Sequence, residues 1–568
     1  MPSKPNNASA TNQPCYDVIV VGSGAAGLTA ACVAAVEQQS VLLLEQASTL
    51  GGTTAISGGM VWIPANHKMA GAGFNDSLDA ARCYLRHLVP SMGDDRMDAF
   101  LTRGPEAVEY LESKTSLRLR PVKTYPDYYP DLPGATLGGR VLESQPFDGS
   151  ELGEAFAILR DPLPEFMLFG GMMISREDIP HLRRMGRSLH SAQHVAGLLL
   201  RYGVQRLRHR RGTTLYLGNA LTARLLKSAI DLGVELRSST SVRSLVLEDG
   251  RVSGVNVSCS GTTSTLHARR AVILATGGVS NDAVLRARYV PALAASLSAT
   301  VKTGAARSGA SLAQAIGGQL SAPTDDGAFW VPGSTFQRRD GSLGVFPHTV
   351  TDRSKPGLIA VDAKGRRFTN EALSYHEFVR AQLKAGADAI PAILICDQRF
   401  LWKYGLGRIK PFSVSLGADI ASGYLKRAAT ISELAQALDL PSEQLSDTID
   451  SYNLGAREGL DPEFGRGGDA YQRHLGDAEN CPNPCVAPIE KGPFYAVAVL
   501  PSDLGMAAGI ITDAQARVLS VEGSIIPGLY ACGNDMESVM HGAYPGPGIT
   551  LGPALTFGYV AARHAASQ

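Results

Sequence analysis

In GAYPGPGITLGPALTFG, residues 542–558, a single phenol, Tyr544, stands among glycines and prolines just ahead of an apolar run. Pro545 biases Tyr544 toward an extended backbone. Neither Pro545 nor Pro547 has an N–H, which leaves Gly546, Gly548 and Ile549 as the backbone donors of the loop. A phenol O–H and the Gly548 N–H, four residues apart, can point at one carbonyl oxygen. Such a pair is an oxyanion hole, suited to stabilising an enolate as it forms, and the start of the helix behind it adds favourable potential. The same loop also reads as a glycine-rich contact to a cofactor ring, and the two readings are compatible.

The elements that must position such a loop begin at the other end of the chain. YDVIVVGSGAAGLTAACVAAVEQQSVLLLEQ, residues 16–46, reads as a buried strand at 17–21, G-x-G-x-x-G at Gly22, Gly24 and Gly27, an Ala-rich helix over 25–36, and an apolar strand at 41–44 ending in Glu45. Strand, glycines, helix, strand and acid in this order form a dinucleotide site. Gly22 allows the tight turn, and Gly24 lets a pyrophosphate approach N–H groups at the helix start. Ser23, Ala25 and Ala26 complete that turn, Gly27 lets helix and strand pack closely, and Glu45 accepts from ribose hydroxyls.

Three more stretches extend this site: GGTTAISGGMVWIP (51–64), RRAVILATGGVSND (269–282) and IIPGLYACGND (525–535). Together they resemble the FAD-dependent fumarate reductase and succinate dehydrogenase flavoproteins. The resemblance implies FAD, with Gly52, Thr53, Thr54, Ser57, Gly58 and Gly59 along its pyrophosphate and isoalloxazine. It places Ala275, Thr276, Gly277 and Asn281 on the returning strand, Gly533 and Asn534 on the closing one, and Val242 against adenine. Gly548, Ile549 and Leu551 are the implied contacts from the C-terminal loop and helix. No histidine, cysteine or tyrosine stands out as an attachment point, His67 reading as an ordinary surface or core residue, so FAD is expected to be held noncovalently.

Tyr-Pro-Gly-x-Gly before a glycine-rich helix start is, within that superfamily, similar to the 3-ketosteroid Δ1-dehydrogenases and their relatives acting on other cyclic ketones. By that resemblance Tyr544 and Gly548 hold the ketone oxygen. It also implies a general base, Tyr375, in GRRFTNEALSYHEF (365–378), and a supporting tyrosine, Tyr128, in YPDYYPDLPGATLGGR (125–140). A phenol of ordinary pKa, ~10, is a poor base near neutrality, so the surroundings of Tyr375 are expected to favour phenolate. The implied reaction removes two hydrogens from adjacent carbons beside a ketone. 3-Ketosteroid Δ1-dehydrogenation comes first; a smaller cyclic ketone such as cyclohexanone, or Δ4 chemistry on a 3-keto-5α-steroid, are the alternatives. Pro547 departs from the Tyr-Pro-Gly-Gly-Gly of the steroid enzymes, which leaves the ring system open. A fumarate reductase-type enzyme would instead need cationic clamps for a dicarboxylate. Arg140, Arg366, Arg367 and Arg380, with His348, are the candidates for that role, but the Tyr, Pro, Gly, Ile and Leu side of the 544–551 loop favours a neutral ketone. With one dinucleotide fingerprint, a quinone or other acceptor is expected to take the electrons.

Composition narrows the rest. Lys and Arg total 53 and Asp and Glu 53, so net charge is zero and there is no basic footprint for nucleic acid. No apolar run reaches the ~18 residues of a membrane span. The polar first residues, 1–14, read as a disordered tail without a secretion signal. Eight scattered cysteines, with only Cys481 and Cys485 close, argue for a reduced cytoplasmic protein without a metal site, peripheral membrane association staying open. The expected fold is α/β: a discontinuous Rossmann-like FAD-binding domain, 15–323 and 486–568, with an inserted α+β catalytic domain at 324–485. EDGR at 248–251 marks a hairpin, and Thr430 with Glu433 a helix start.

Overall fold

The computed structural model describes residues 15–89, 95–291, 297–302, 307–324 and 326–568; the expected N-terminal tail lies outside them. The strand Cys15–Val21 pairs in parallel with Val41–Leu44 on one side and Thr262–Leu274 on the other. Val18, Ile19 and Val20 and all of Val41–Leu44 are buried, as strands covered on both faces must be. The sheet continues through Ile525–Ala531 to Arg517–Leu519 at one edge and Glu235–Arg237 at the other. The sheet therefore brings the turn after Val21, the ATGG turn after Leu274 and the segment after Ala531 to the same carboxyl-terminal edge. That edge is where ligands bind in open α/β sheets. The expected hairpin forms between Thr240–Glu248 and Arg251–Cys259, with Glu248 opposite Arg251.

The helix Ala25–Val36 is buried from Ala25 to Ala35 and packs against Leu217–Asp231 and the C-terminal helix Leu551–Ser567. Gly27 is required by close approach, because a Cβ there would lie 1.9 Å from the Gly22 carbonyl oxygen.

A second, antiparallel sheet runs Leu343–Pro347, Ala328–Gln337, Phe494–Met506, Ala392–Asp397, Leu358–Val361, with Lys426–Ala428 also on Phe494–Met506. Its longest strand, Phe494–Met506, lies beyond residue 485, so the expected domain boundary does not coincide with a sheet boundary. The apolar PFYAVAVLP reads equally as a strand of either sheet, and only its partners decide. The helix Tyr375–Ala385 lies against Ala328–Gln337, capped by Ser374, whose hydroxyl accepts from Glu377 N. Thr430 and Glu433 form the expected capping box. A small sheet, Met60–Trp62, Val141–Ser144 and Leu119–Pro121, flanks the loop that carries Tyr128. No helix among the described residues is long and apolar enough to cross a membrane.

Candidate active site

The carboxyl-terminal edge of the parallel sheet opens into a cavity of about 1300 Å³. A pocket for one small ligand is typically ~300–1,000 Å³, so this one has room for a dinucleotide and a second molecule. Gly22, Ser23, Gly24, Ala25, Ala26 and Glu45 line one end, with Gly52, Thr53, Thr54, Ser57, Gly58 and Gly59 beside them. Val242, Ala275, Thr276, Gly277, Asn281, Gly533, Asn534, Gly548 and Leu551 also face it. A Cβ built on Gly58 or Gly277 would meet no atom within 4 Å, so the space before these glycines is open and fits a flat, phosphate-bearing group. One Glu45 oxygen accepts from Ser23 N at 3.1 Å and Ser23 Oγ at 2.6 Å, the other from Ala47 N at 2.9 Å. A carboxylate offers about four acceptor positions, which leaves capacity for ribose hydroxyls. Two implied residues are not on this wall. Gly27 packs beneath it, as expected of its role, and Ile549 is buried away from the cavity. Asn281 lines the wall but spends its side-chain amide on Thr300 Oγ1 and the Val301 carbonyl, both at 3.0 Å.

Asp535 welds the closing segment to the ATGG turn. Its carboxylate accepts from Thr276 N, from Thr276 Oγ1 at 2.8 Å and from Gly278 N at 3.0 Å. Burial nevertheless pushes its carboxyl up to about 6.

At the other end of the cavity Tyr128, Tyr375 and Tyr544 meet. The Tyr375 hydroxyl donates to the Tyr544 hydroxyl at 2.7 Å. The Tyr128 ring stacks on Tyr544 at 5.4 Å between centroids and meets Tyr375 edge-on at 5.7 Å. The loops are tied together by polar contacts. The Pro545 carbonyl accepts from Tyr128 N at 2.9 Å and Tyr84 Oη at 2.6 Å, and Trp62 N donates to the Gly548 carbonyl at 3.2 Å. Asp127 accepts from Trp62 Nε1 and from Arg140, each at 2.8 Å, and Arg140 also pairs with Asp76 at 2.7 Å. Tyr129 Oη donates to Glu377 at 2.7 Å, which ties the Tyr128 loop to the helix that begins at Tyr375. Gly548 has φ +101°, and a Cβ there would lie 2.4 Å from the Met60 carbonyl oxygen, so only glycine fits this turn.

Burial, then the neighbouring Tyr544 phenol, hold the Tyr375 pKa well above the ordinary phenol value. Burial raises Tyr544 and Tyr128 as well. The Tyr128 hydroxyl makes no hydrogen bond of acceptable geometry, although it lies near enough to Tyr375 to favour its phenolate slightly. The protein side of the pocket therefore keeps the phenols protonated, contrary to the expectation for Tyr375: desolvation of an anion outweighs hydrogen bonds from other phenols. Behind Tyr544, His376 is buried and neutral, its pKa brought down by burial to about 4, and its Nδ1 accepts from Trp330 N at 3.2 Å.

The four arginines considered as dicarboxylate clamps are committed elsewhere. Arg140 is buried between Asp76 and Asp127, Arg367 between Glu371 and Asp461, Arg366 bonds Gln444, and Arg380 pairs with Asp326 and Glu377. His348 is buried between Asp352 and Ser334. None of these five lines the cavity. Sequence reasoning did not single out Tyr125, His474, Lys355, Arg176 and Arg183, which do. Tyr125 opens the 125–140 stretch that carries Tyr128, and the other four belong to no motif.

The family described as FAD binding domain matches residues 17–551. Over 97% of its length the chain is 39% identical to the 4-oxocyclohex-2-ene-1-carboxylate 5-dehydrogenase of Sinomonas cyclohexanicum, covering 93% of that protein. It is 36% identical to the 3-oxosteroid 1-dehydrogenase of Mycolicibacterium smegmatis, with 96% of each chain covered. The chain is a 3-ketosteroid Δ1-dehydrogenase-like flavoprotein of the FAD binding domain family. Its fold is similar to the crystal structure of 3-ketosteroid Δ1-dehydrogenase from Sterolibacterium denitrificans in complex with 1,4-androstadiene-3,17-dione. That match has a TM-score of 0.90 and 37% identity, and covers 97% of this chain and 99% of that one. The flavoprotein is thus an FAD-dependent oxidoreductase of the class that acts on CH–CH bonds.

Proposed function

We propose that the flavoprotein desaturates a ring ketone beside its carbonyl, in the manner of 3-ketosteroid Δ1-dehydrogenation. The observation that carries this is the Tyr375–Tyr544 hydrogen bond, set one turn from the Gly548 amide on the cavity wall. In the resting site Tyr544 accepts from Tyr375, so its own proton is free to point at a ketone oxygen. The Gly548 N–H supplies a second donor, and together they polarise the carbonyl and acidify the neighbouring carbon. Tyr375, once it has given up its own proton to solvent, takes the proton from that carbon. Tyr128 supports it from the stacked ring behind Tyr544. FAD, when bound by the cradle of Gly22–Gly24, Glu45 and the ATGG turn, supplies the acceptor for the second hydrogen and both electrons.

Anaerobic bleaching of the holoenzyme's flavin by androst-4-ene-3,17-dione, a 3-keto-5α-steroid, cyclohexanone or succinate tests the reading. Bleaching by a ketone with formation of its α,β-unsaturated product is expected; a response to succinate alone would overturn it.

Three finer points follow. We take FAD to be held noncovalently, since His67 turns to Glu112 at 3.6 Å and away from the cavity; acid precipitation should leave yellow flavin in the supernatant. The absence of a second dinucleotide fingerprint among the motifs supports a quinone-type acceptor, and reoxidation by menadione but not by NAD⁺ checks it. Leu189, Leu200, Val204 and Leu207 form one exposed apolar row on and just past the helix Leu189–Arg206, amid Arg184, Arg187, Arg208 and Arg210. That pattern supports peripheral attachment to an anionic bilayer; co-sedimentation with phosphatidylglycerol vesicles but not with phosphatidylcholine vesicles is expected, and recovery of all the protein in the supernatant would sink it.

A further inference from the structure

Beyond the three phenols the cavity wall changes character. The Tyr125 ring lies 4.6 Å from the His474 ring and carries the Arg176 guanidinium at 5.6 Å. Past them come Lys355 and Arg183, the latter over the Tyr404 ring at 5.6 Å.

Arg176 reaches Glu143 at 4.0 Å, but Lys355 and Arg183 are under-committed. Lys355 Nζ donates to the Leu475 and Gly476 carbonyls at 2.6 and 2.7 Å, which uses two of its three hydrogens, and it has no carboxylate within ion-pair distance. The Arg183 guanidinium makes no hydrogen bond or ion pair among the described residues, and its Nε is buried. The carboxylates nearby are taken. Asp352 binds His348 and the Gly407 N–H; Asp477 binds Lys403 and Tyr404; Glu165 is paired with Arg338 at 3.6 Å. His474 is neutral near pH 7, burial having brought it down to about 4. A cation held partly out of water without a counterion is costly to keep, and a wall made for a wholly apolar ketone gains nothing from two half-buried cations.

We propose that Lys355 and Arg183 receive a carboxylate carried by the substrate at the end opposite its ketone, so that the flavoprotein acts on keto acids in preference to neutral ketones. This rests on the reading of Tyr544 and Gly548 as the ketone site. The carboxylate anchors the far end while the phenols hold the near one, and the distance between the two groups selects the ring system. The shared chemistry is a ring ketone with a distal carboxylate, either a cyclohexanone acid or a 3-oxosteroid whose side chain ends in one.

The test uses the holoenzyme and two matched pairs: 4-oxocyclohexanecarboxylate with its methyl ester, and a 3-oxo-4-ene steroid acid with its methyl ester. The acid of one pair is expected to exceed its ester at least tenfold in kcat/KM, and which pair responds sets the ring size. Lys355→Met and Arg183→Met are each expected to lower that acid-to-ester ratio at least fivefold. If Lys355→Met fails to retain flavin, Arg183→Met carries the test alone, since its guanidinium holds no backbone group. Equal turnover of acid and ester in both pairs would overturn the proposal and leave the ketone reading standing. An acid preference untouched by both substitutions would overturn the assignment to these residues. Bleaching by neither acids nor esters would instead overturn the ketone site itself.

Discussion

Tyr375 and Tyr544 share a proton contact of 2.7 Å inside a pocket whose burial holds both phenols neutral. A base that must first lose its proton then works better as pH rises. Because the Tyr375 pKa stands above 10, the active fraction of free enzyme grows throughout the accessible range. The profile of kcat/KM for a neutral ketone should accordingly climb from pH 6 to pH 10 without a plateau; a plateau beginning near neutrality would show that the bound cofactor supplies the stabilisation the protein lacks. Tyr375→Phe should lower kcat by about 10²–10⁴-fold, the usual worth of a general base, with the flavin spectrum retained. Tyr544→Phe removes one carbonyl donor and should cost about 10²–10³-fold in kcat, measured as the rate of anaerobic flavin bleaching. Of the candidate site, the meeting of Tyr544 and Gly548 on one cavity wall was legible from residue types and a spacing of four. Tyr375 and Tyr128 entered only through resemblance, since nothing in their local pattern distinguishes a base from a core tyrosine. The ionisation of the phenols was not legible at all, because desolvation depends on residues that meet only after folding.

The same contrast holds for elements. The strand, helix and second strand at 15–44, the hairpin at 240–259 and the capping box at Thr430 were readable because each is a local pattern of side-chain periodicity or turn chemistry. The place of Phe494–Met506 was not, since pairing with Ala328–Gln337 and Ala392–Asp397 joins residues about a hundred or more positions apart. Nor was the staple that holds the Tyr128 loop: Arg140 between Asp76 and Asp127 looks, in sequence, like a free cation. Its position explains how a loop of mixed turns presents Tyr128 so firmly, because two carboxylates and the Trp62 indole all converge there. The loop at Gly548 depends on backbone instead. Gly548→Ala would put a Cβ 2.4 Å from the Met60 oxygen at a φ of +101°, so the turn must open. A strained backbone of this kind costs about 1–3 kcal/mol. The variant should melt a few degrees lower and lose ketone turnover about as severely as Tyr544→Phe. Normal turnover with a lowered melting point would show that the turn has only a structural role.

Over the whole molecule, the proposed FAD cradle is assembled from pieces that no single stretch of chain holds together. Gly22–Gly24 and Glu45 come from the first strands, Ala275–Gly277 from the middle of the chain, and Gly533–Asn534 with Gly548 from its end. Asp535 joins the last two through Thr276 and Gly278, and the helices Ala25–Val36 and Leu551–Ser567 pack directly on each other. Both sheets contribute to one continuous core, which includes Val20 and Leu274 of the first and Trp330 and Val499 of the second. A ligand that touches all these pieces binds the folded chain and not the unfolded one, so it stabilises by mass action, about 2.7 kcal/mol when its free concentration is a hundred times its Kd. Stripping the flavin with acidic bromide should therefore lower the melting point, and added FAD should restore it in a concentration-dependent way. Asp535→Asn supplies an amide where Thr276 N–H and Gly278 N–H need acceptors, so it should weaken FAD retention at least tenfold by fluorescence titration while leaving secondary structure intact. If that variant keeps FAD as tightly as the parent chain, the weld between the closing segment and the ATGG turn does not govern the cradle, and helix packing alone must be aligning its two ends.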